Sequence, residues 1–198
     1  MTHDPFGPNP WQQHHWDWRA AGNFIGGGAG SGLIVFSVLA GAQGLALAGL
    51  LLLGLALVGL GLLCVWLEIG RPLRALHVFF NPRTSWMSRE AFLAALLFPA
   101  ALAATAGVPG MAWLAGALAL AFLYTQSRIL RAARGIPAWR EPRVVPLIVA
   151  TGLAEGGGLF LLAVPLHGAG SALPMVLFGL FVVVRGLLWF AYRRRLAA

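Results

Sequence analysis

Lysine is absent from this chain of 198 residues, so all 14 basic side chains are arginine. Acidic residues number only six, and there is a single cysteine, Cys64. One cysteine excludes an internal disulfide and any cysteine-ligated iron–sulfur cluster built by this chain alone. Histidine is missing from every long apolar run: His3, His14 and His15 precede the first, His77 lies between the second and third, and His167 follows the fifth. A membrane-embedded b-type haem takes axial histidine from within the spans, so haem is disfavoured. There is no Walker sequence, no H-E-x-x-H and no G-x-S-x-G elbow. The polar, Trp-rich N-terminus has no basic segment leading into an apolar core and cleavage site, so no removable signal peptide is expected.

What the chain does have is apolarity. It is 59% hydrophobic and 10% charged, with a mean hydropathy of +0.79, values of an integral membrane protein. A net charge of +8 would suggest nucleic acid in a soluble protein. Here most arginines stand in loops between apolar runs, which points to topology, with no nucleic-acid partner.

The expected fold is an all-α integral membrane bundle of about six spans, at 20–40, 45–67, 91–106, 111–130, 144–165 and 173–192, each near the ~20 residues that cross the hydrocarbon. In domain terms, 1–19 is a cytoplasmic lead, 20–192 the transmembrane domain and 193–198 a basic cytoplasmic tail. His3, His14 and His15 read as part of a solvated lead rather than as a metal site, and no metal is expected. The first span is Gly-rich at Gly22, Gly26, Gly27, Gly28, Gly30 and Gly32. Such a face allows close helix packing; it can also leave room for a flat ligand, with Asn23 beside it at the membrane edge.

With six spans, every loop arginine falls on one face. The positive-inside rule then puts both termini in the cytoplasm of a bacterial inner-membrane protein. Seven of the eight tryptophans, all but Trp113, belong to the same face. That excess suits a platform for a cytoplasmic partner, or a local lipid anchor.

The stretch 68–90 holds four arginines, one histidine and a carboxylate at each end, Glu68 and Glu90. Pro72 suits the first turn of a short helix and Pro82 stops it. Arg71, Arg74, His77 and Asn81 recur at helical spacing, with Leu73, Leu76, Phe79 and Phe80 on the other side, which predicts an amphipathic helix lying in the interface. Thr84 or Ser85 can cap the next helix. Folding back along the interface brings Glu68 and Glu90 toward one pocket. The bland alternatives are a helix-dipole role for Glu90 and a salt bridge from Glu68 to Arg71 or Arg74. Tyr124, Gln126 and Arg128 sit in the inner half of the fourth span, where a phenol can donate to a carbonyl or simply join an aromatic belt. Glu155 lies about 15–17 Å inside the fifth span, near the midplane. It is either a proton relay or half of a buried ion pair with Arg185.

Two stretches carry a family resemblance: L-E-I-G-R-P-L-R-A-L-H-V-F-F-N-P-R-T-S-W-M-S-R-E (67–90) and Y-T-Q-S-R-I-L-R-A-A-R-G-I-P-A-W (124–139). They resemble the membrane-anchor subunits of the dimethyl sulfoxide reductase type, the DmsC and NrfD/PsrC family. The segment W-D-W-R-A-A-G-N-F-I-G-G-G-A-G-S-G-L (16–33) resembles the short form found as the membrane subunit of phenylacetyl-CoA:acceptor oxidoreductase. The resemblance implies a haem-free, quinone-reactive subunit of an oxidoreductase complex, with no catalytic activity of its own. Ubiquinone or menaquinone would be its substrate. Its partners would be a ferredoxin-like iron–sulfur subunit and a molybdopterin (or tungstopterin) catalytic subunit, which hold those cofactors. It also implies that Glu68 and Glu90 belong to the quinol site and that Tyr124 contacts the quinone. Read from the residues themselves, Arg74 and His77 can donate to ring oxygens, Trp66, Phe79, Phe80 and Trp86 would supply apolar walls, and Asn23 stands near the glycine face. Relatives often carry histidine in place of Glu68, and many have eight spans. The competing expectations are a small transporter or proton-conducting subunit with Glu155 as carrier, and an assembly scaffold without redox work.

Overall fold

The computed structural model describes residues 16–68, 72–133, 135–167 and 172–196. His3, His14, His15 and Arg71 lie outside the described residues, as does the side chain of Glu68. Six helices follow in order: α1 (Trp18–Leu39), α2 (Gly44–Glu68), α3 (Trp86–Thr105), α4 (Met111–Ala132), α5 (Val144–His167) and α6 (Ala172–Leu196). Two 3-10 segments, Pro72–Phe80 and Pro137–Arg140, lie between them. No strand occurs among the described residues.

Five helices are long and apolar enough to cross a membrane, namely α1, α2, α3, α5 and α6. The chain is therefore an all-α, multi-pass membrane protein. α4 has the length but carries Tyr124, Thr125, Gln126, Ser127 and Arg128 in its second half, which sets it apart from the other five by composition. α6 runs through Arg193, Arg194 and Arg195, so the basic tail read from the sequence continues the helix.

Local chemistry sets the helix ends. Asp17 caps α1 by accepting from the Arg19 main-chain N–H at 2.8 Å. Arg19 in turn donates to the Leu67 carbonyl at 3.2 Å, meeting one of the orphan oxygens at the end of α2. Ser85 caps α3 through the Ser88 N–H at 3.3 Å, one of the two caps expected. The turn between α3 and α4 uses Gly107 and Gly110 at φ of 79° and 78°, a backbone region that costs glycine little.

α1 is the axis of the bundle. It packs on α2, α5 and α4, and Leu33, Ile34, Val35 and Phe36 are buried in its C-terminal half. Its glycines explain the closeness. A Cβ at Gly26 would meet the Leu57 carbonyl and one at Gly30 the Gly54 carbonyl, both on α2. On another face Gly32 abuts Gly152 and Gly156 of α5. The glycine surface is filled by neighbouring helices, as close packing in lipid requires, and these positions hold no flat ligand. α6 packs mainly on α5 and leaves most of its length uncovered.

The segment Pro72–Phe80 is a 3-10 helix, which turns every three residues. Ala75 and Val78 line a cavity, while Leu76 and Phe80 are exposed. The sequence reading set Leu76 and Phe80 opposite Arg74 and His77; all four are exposed.

Candidate functional site

Three buried polar side chains meet at one end of the bundle. Asn23 of α1, Glu90 of α3 and Gln126 of α4 are 4%, 5% and 0% exposed. Each lies within a turn or two of its helix end, roughly 6–9 Å along the axis. The chain brings them together through ordinary periodicity. On α4 the buried stripe is Ala115, Ala119, Phe122 and Gln126, at the 3–4 spacing of one helix face.

Gln126 reaches across α1, where its Nε2 donates to the Asn23 main-chain oxygen at 3.0 Å. It lies over Gly27, and a Cβ there would collide with its amide. The side-chain amides of Gln126 and Asn23 both stand against the Glu90 carboxyl. Three acceptor oxygens in the cluster, Asn23 Oδ1, Glu90 Oε1 and Gln126 Oε1, are buried with no hydrogen-bond partner. Buried oxygens left unmatched are costly, and a bound water, a proton on Glu90 or a ligand would each satisfy them.

Two cavities open onto Glu90. The first, about 180 Å³, is lined by Trp16, Asn23, Phe24, Val65, Met87 and Glu90. Trp16 forms its wall by stacking on Phe24 with centroids 6.1 Å apart and meeting Trp139 edge-on at 4.5 Å. The second, about 140 Å³, runs between α2, α3 and the 3-10 segment, past Leu62, Val65, Trp66, Ala75, Val78 and Glu90. Val65, Met87 and Glu90 border both cavities. A third, more open hollow of about 290 Å³ adjoins the first through Trp16, Met87 and Ile129 and includes Ser85 and Trp86.

Of the residues named from the sequence, Glu90 and Asn23 are brought together at the first cavity. Glu68 ends α2, with its side chain outside the described residues. Tyr124 is 42% exposed and faces another way, its hydroxyl accepting from Arg128 Nη1 at 2.9 Å. It sits edge-on to Trp86 with centroids 6.1 Å apart. Trp86 is itself held between two guanidiniums, Arg89 at 4.1 Å and Arg128 at 4.3 Å from its ring, and borders the outer hollow. Arg74 and His77 are exposed on the 3-10 segment. His77 Nδ1 lies 3.2 Å from the Arg74 carbonyl and its ring meets Phe80. Neither residue lines a described cavity.

Glu155 and Arg185 lie on adjacent helices, and no ion pair joins them among the described residues. Arg185 Nε donates instead to Thr151 Oγ1, one turn away on α5, at 3.2 Å. Both acidic and basic groups are exposed.

Sequence reasoning named Gln126 only beside Tyr124 and Arg128, without a role of its own, and gave no site role to Met87, Val65 or Trp16. The signal for Gln126 was present: it continues the Ala115, Ala119, Phe122 stripe, whereas Tyr124 falls off it. Comparison with family models, curated proteins and solved structures returned no match.

Proposed function

We propose that this chain is the haem-free membrane anchor of a molybdopterin/iron–sulfur oxidoreductase, exchanging electrons and protons between a membrane quinone and an iron–sulfur partner. The observation that carries this reading is the Glu90 carboxyl, buried beside two amides at the head of an apolar cavity near one end of the bundle. A hydroquinone that becomes a quinone releases two electrons and two protons. The electrons pass to the iron–sulfur partner. In this reading Glu90 takes one proton from a ring hydroxyl, and the other ring proton leaves to the solvent at that end of the bundle.

The dimensions fit. A volume of about 180 Å³ is roughly six times a water's share of liquid, ~30 Å³, which suits one substituted ring. Trp16 and Phe24 offer flat faces, while Asn23 and Glu90 offer polar contacts at one edge. The second, apolar cavity gives an isoprenoid tail a way past Trp66 and Val78 toward the 3-10 segment. In this reading Glu90 is the catalytic carboxylate and Asn23 and Gln126 orient the ring. Arg74, His77, Trp86 and Tyr124 then form the inner surface around the site.

The same proposal takes α4 as a sixth span. Its polar residues Thr125, Gln126 and Ser127 are buried inside the bundle, where lipid does not meet them. The one-sided loop arginines support cytoplasmic termini and a cytoplasmic partner. Copurification from native membranes tests the assignment. An iron–sulfur and a pterin subunit should come with the chain, and Glu90→Gln should leave the complex assembled with its clusters reducible from the catalytic side while quinone-linked turnover falls at least a hundredfold. A Glu90→Gln complex with normal quinone kinetics would move the site elsewhere.

A second reading, a small transporter or proton-conducting subunit, draws on the exposed Glu155, which lies in the field of Arg185 without an ion pair among the described residues. Proton or solute flux by the chain alone in sealed vesicles would favour it.

A further inference from the structure

α6 is the least covered of the five helices long and apolar enough to cross a membrane. Only 6% of its apolar stretch is buried, against 33–67% in the other four. Lipid suits an apolar face, but where α6 adjoins α5 the surface carries charge. Glu155 of α5 and Arg185 of α6 are both exposed. Arg185 Nε donates to Thr151 Oγ1 at 3.2 Å, and Thr151 stands one turn along α5 from Glu155. Acid and base therefore share nearly one depth, roughly two to three turns in from the arginine-rich end of the bundle. The guanidinium acts on the carboxylate through space, yet no ion pair closes between them among the described residues. Charged groups at this depth are costly against hydrocarbon, and membrane proteins pair them or turn them inward.

A seam runs beside these groups. Met175, Gly179, Val182, Gly186 and Trp189 recur along α6 at alternating spacings of four and three, the pattern of a face that meets another helix. Among the described residues, nothing stands within 4 Å of a Cβ placed at Gly179 or Gly186. On α1, by contrast, Gly26 and Gly30 are each filled by a neighbouring helix, as small residues at helix contacts in lipid are. At 100° per residue, Arg185 falls between the seam and Leu188 and Tyr192, which pack on α5. Seam and charges thus border one groove between α5 and α6.

The charges select the occupant. Two copies of one chain insert the same way round, so a two-fold axis relating them lies along the membrane normal and keeps every residue at its own depth. If Glu155 meets the partner's Arg185, the same axis makes Arg185 meet the partner's Glu155. One acid and one base, exposed on one face at nearly one depth, are self-complementary under that operation. We infer that this face binds a second copy of the chain, with α6 of each seated in the α5–α6 groove of the other and two exchanged Glu155–Arg185 pairs closing the contact. In a single chain both groups are exposed, so losing one costs the fold little. Between two copies they are buried against each other, where an unmatched charge is strongly destabilising. The inference stands apart from the quinone reading.

The test uses the purified full chain, labelled in detergent on its terminal amine, the only primary amine in a chain without lysine. Donor- and acceptor-labelled chains are mixed in phosphatidylcholine vesicles over a range of protein-to-lipid ratios, and energy transfer reads association. The unmodified chain should associate, with transfer linear in the acceptor fraction, as for a dimer. Glu155→Arg alone and Arg185→Glu alone should each associate at least tenfold more weakly. Mixed one to one, the two variants offer opposite charges at both contacts and should associate within threefold of the unmodified chain. Gly186→Leu projects into open space in the single chain, so it folds, and it should weaken association at least tenfold by filling the seam. An unmodified chain that stays monomeric overturns the inference and leaves the face to lipid or to another subunit. A mixture no better than either reversal alone overturns it too, because the charges then do not meet between copies. Should a reversal fail to insert, Gly186→Leu decides: association equal to that of the unmodified chain overturns the α6 interface, and a tenfold loss upholds it.

Discussion

Gln126 crosses α1 at Gly27, where no Cβ stands in its way, and donates to the Asn23 carbonyl at 3.0 Å. Two residues from different helices thus occupy one space. Gly27→Ala should force the amide out and cost about 1–3 kcal/mol, the usual range for overpacking. Adding Gln126→Ala should return part of that loss, giving a coupling of at least about 1 kcal/mol between neighbours in contact. Thermal unfolding of the four combinations in detergent measures it. Strictly additive losses would mean that Gly27 and Gln126 do not meet.

The glycines of this bundle should divide sharply. Gly32 and Gly156 face each other across the α1–α5 contact, so Gly32→Ala should lower the yield of folded protein severely. Gly49 lies within α2 with open space beyond its Cα. Gly49→Ala should be neutral or add up to about 1 kcal/mol, since glycine is the weaker helix former. Size-exclusion profiles after heating would separate the two, and the same loss at both positions would argue against helix contact as the reason.

Tyr124 points away from the Glu90 cavity and accepts from Arg128. Tyr124→Phe should therefore leave quinone-linked kcat and KM within about twofold. The cost should appear in stability instead, about 0.5–1.5 kcal/mol for one hydrogen bond. A tenfold rise in the KM for quinone would place the ring beside Tyr124 after all.

Glu155 makes no ion pair with Arg185, which is held by Thr151 at 3.2 Å. Arg185 still acts on Glu155 through space, so Glu155→Gln should cost at most about 1 kcal/mol, the scale of an exposed ion pair. A buried pair losing one partner would cost about 3–5 kcal/mol. The unfolding midpoint of Glu155→Gln distinguishes the two. A large fall would show that the carboxylate neutralises Arg185 in the membrane.

The helices were legible because apolar length is a strong signal. All six appear within a few residues of the expected bounds, and α3 starts at Trp86 behind one of the two caps foreseen. The neighbourhood of Glu90 was legible only in part. Its place at the edge of a span follows from the sequence, and so does that of Asn23. Their meeting depends on α1 lying between α2, α4 and α5, which no local pattern encodes. The segment after α2 was legible as a short helix opened by Pro72; that it is a 3-10 helix, with Ala75 and Val78 at the second cavity, was not. Tyr124 drew notice as a phenol able to donate to a carbonyl, yet a 100° step per residue puts Gln126, not Tyr124, on the stripe through Ala119 and Phe122.

The site can be located without relying on turnover at all. A tritiated quinone analogue with a photoreactive azide on its ring, activated in membranes that contain the protein, will mark whatever surrounds the head group. Peptide mapping should find the label on α1 around Asn23 and Phe24 and on α3 around Met87 and Glu90, with labelling suppressed by excess unlabelled hydroquinone. Competable labelling concentrated instead at Tyr124 and Trp86, or on α6, with none on α1 and α3, would contradict a quinone site at Glu90.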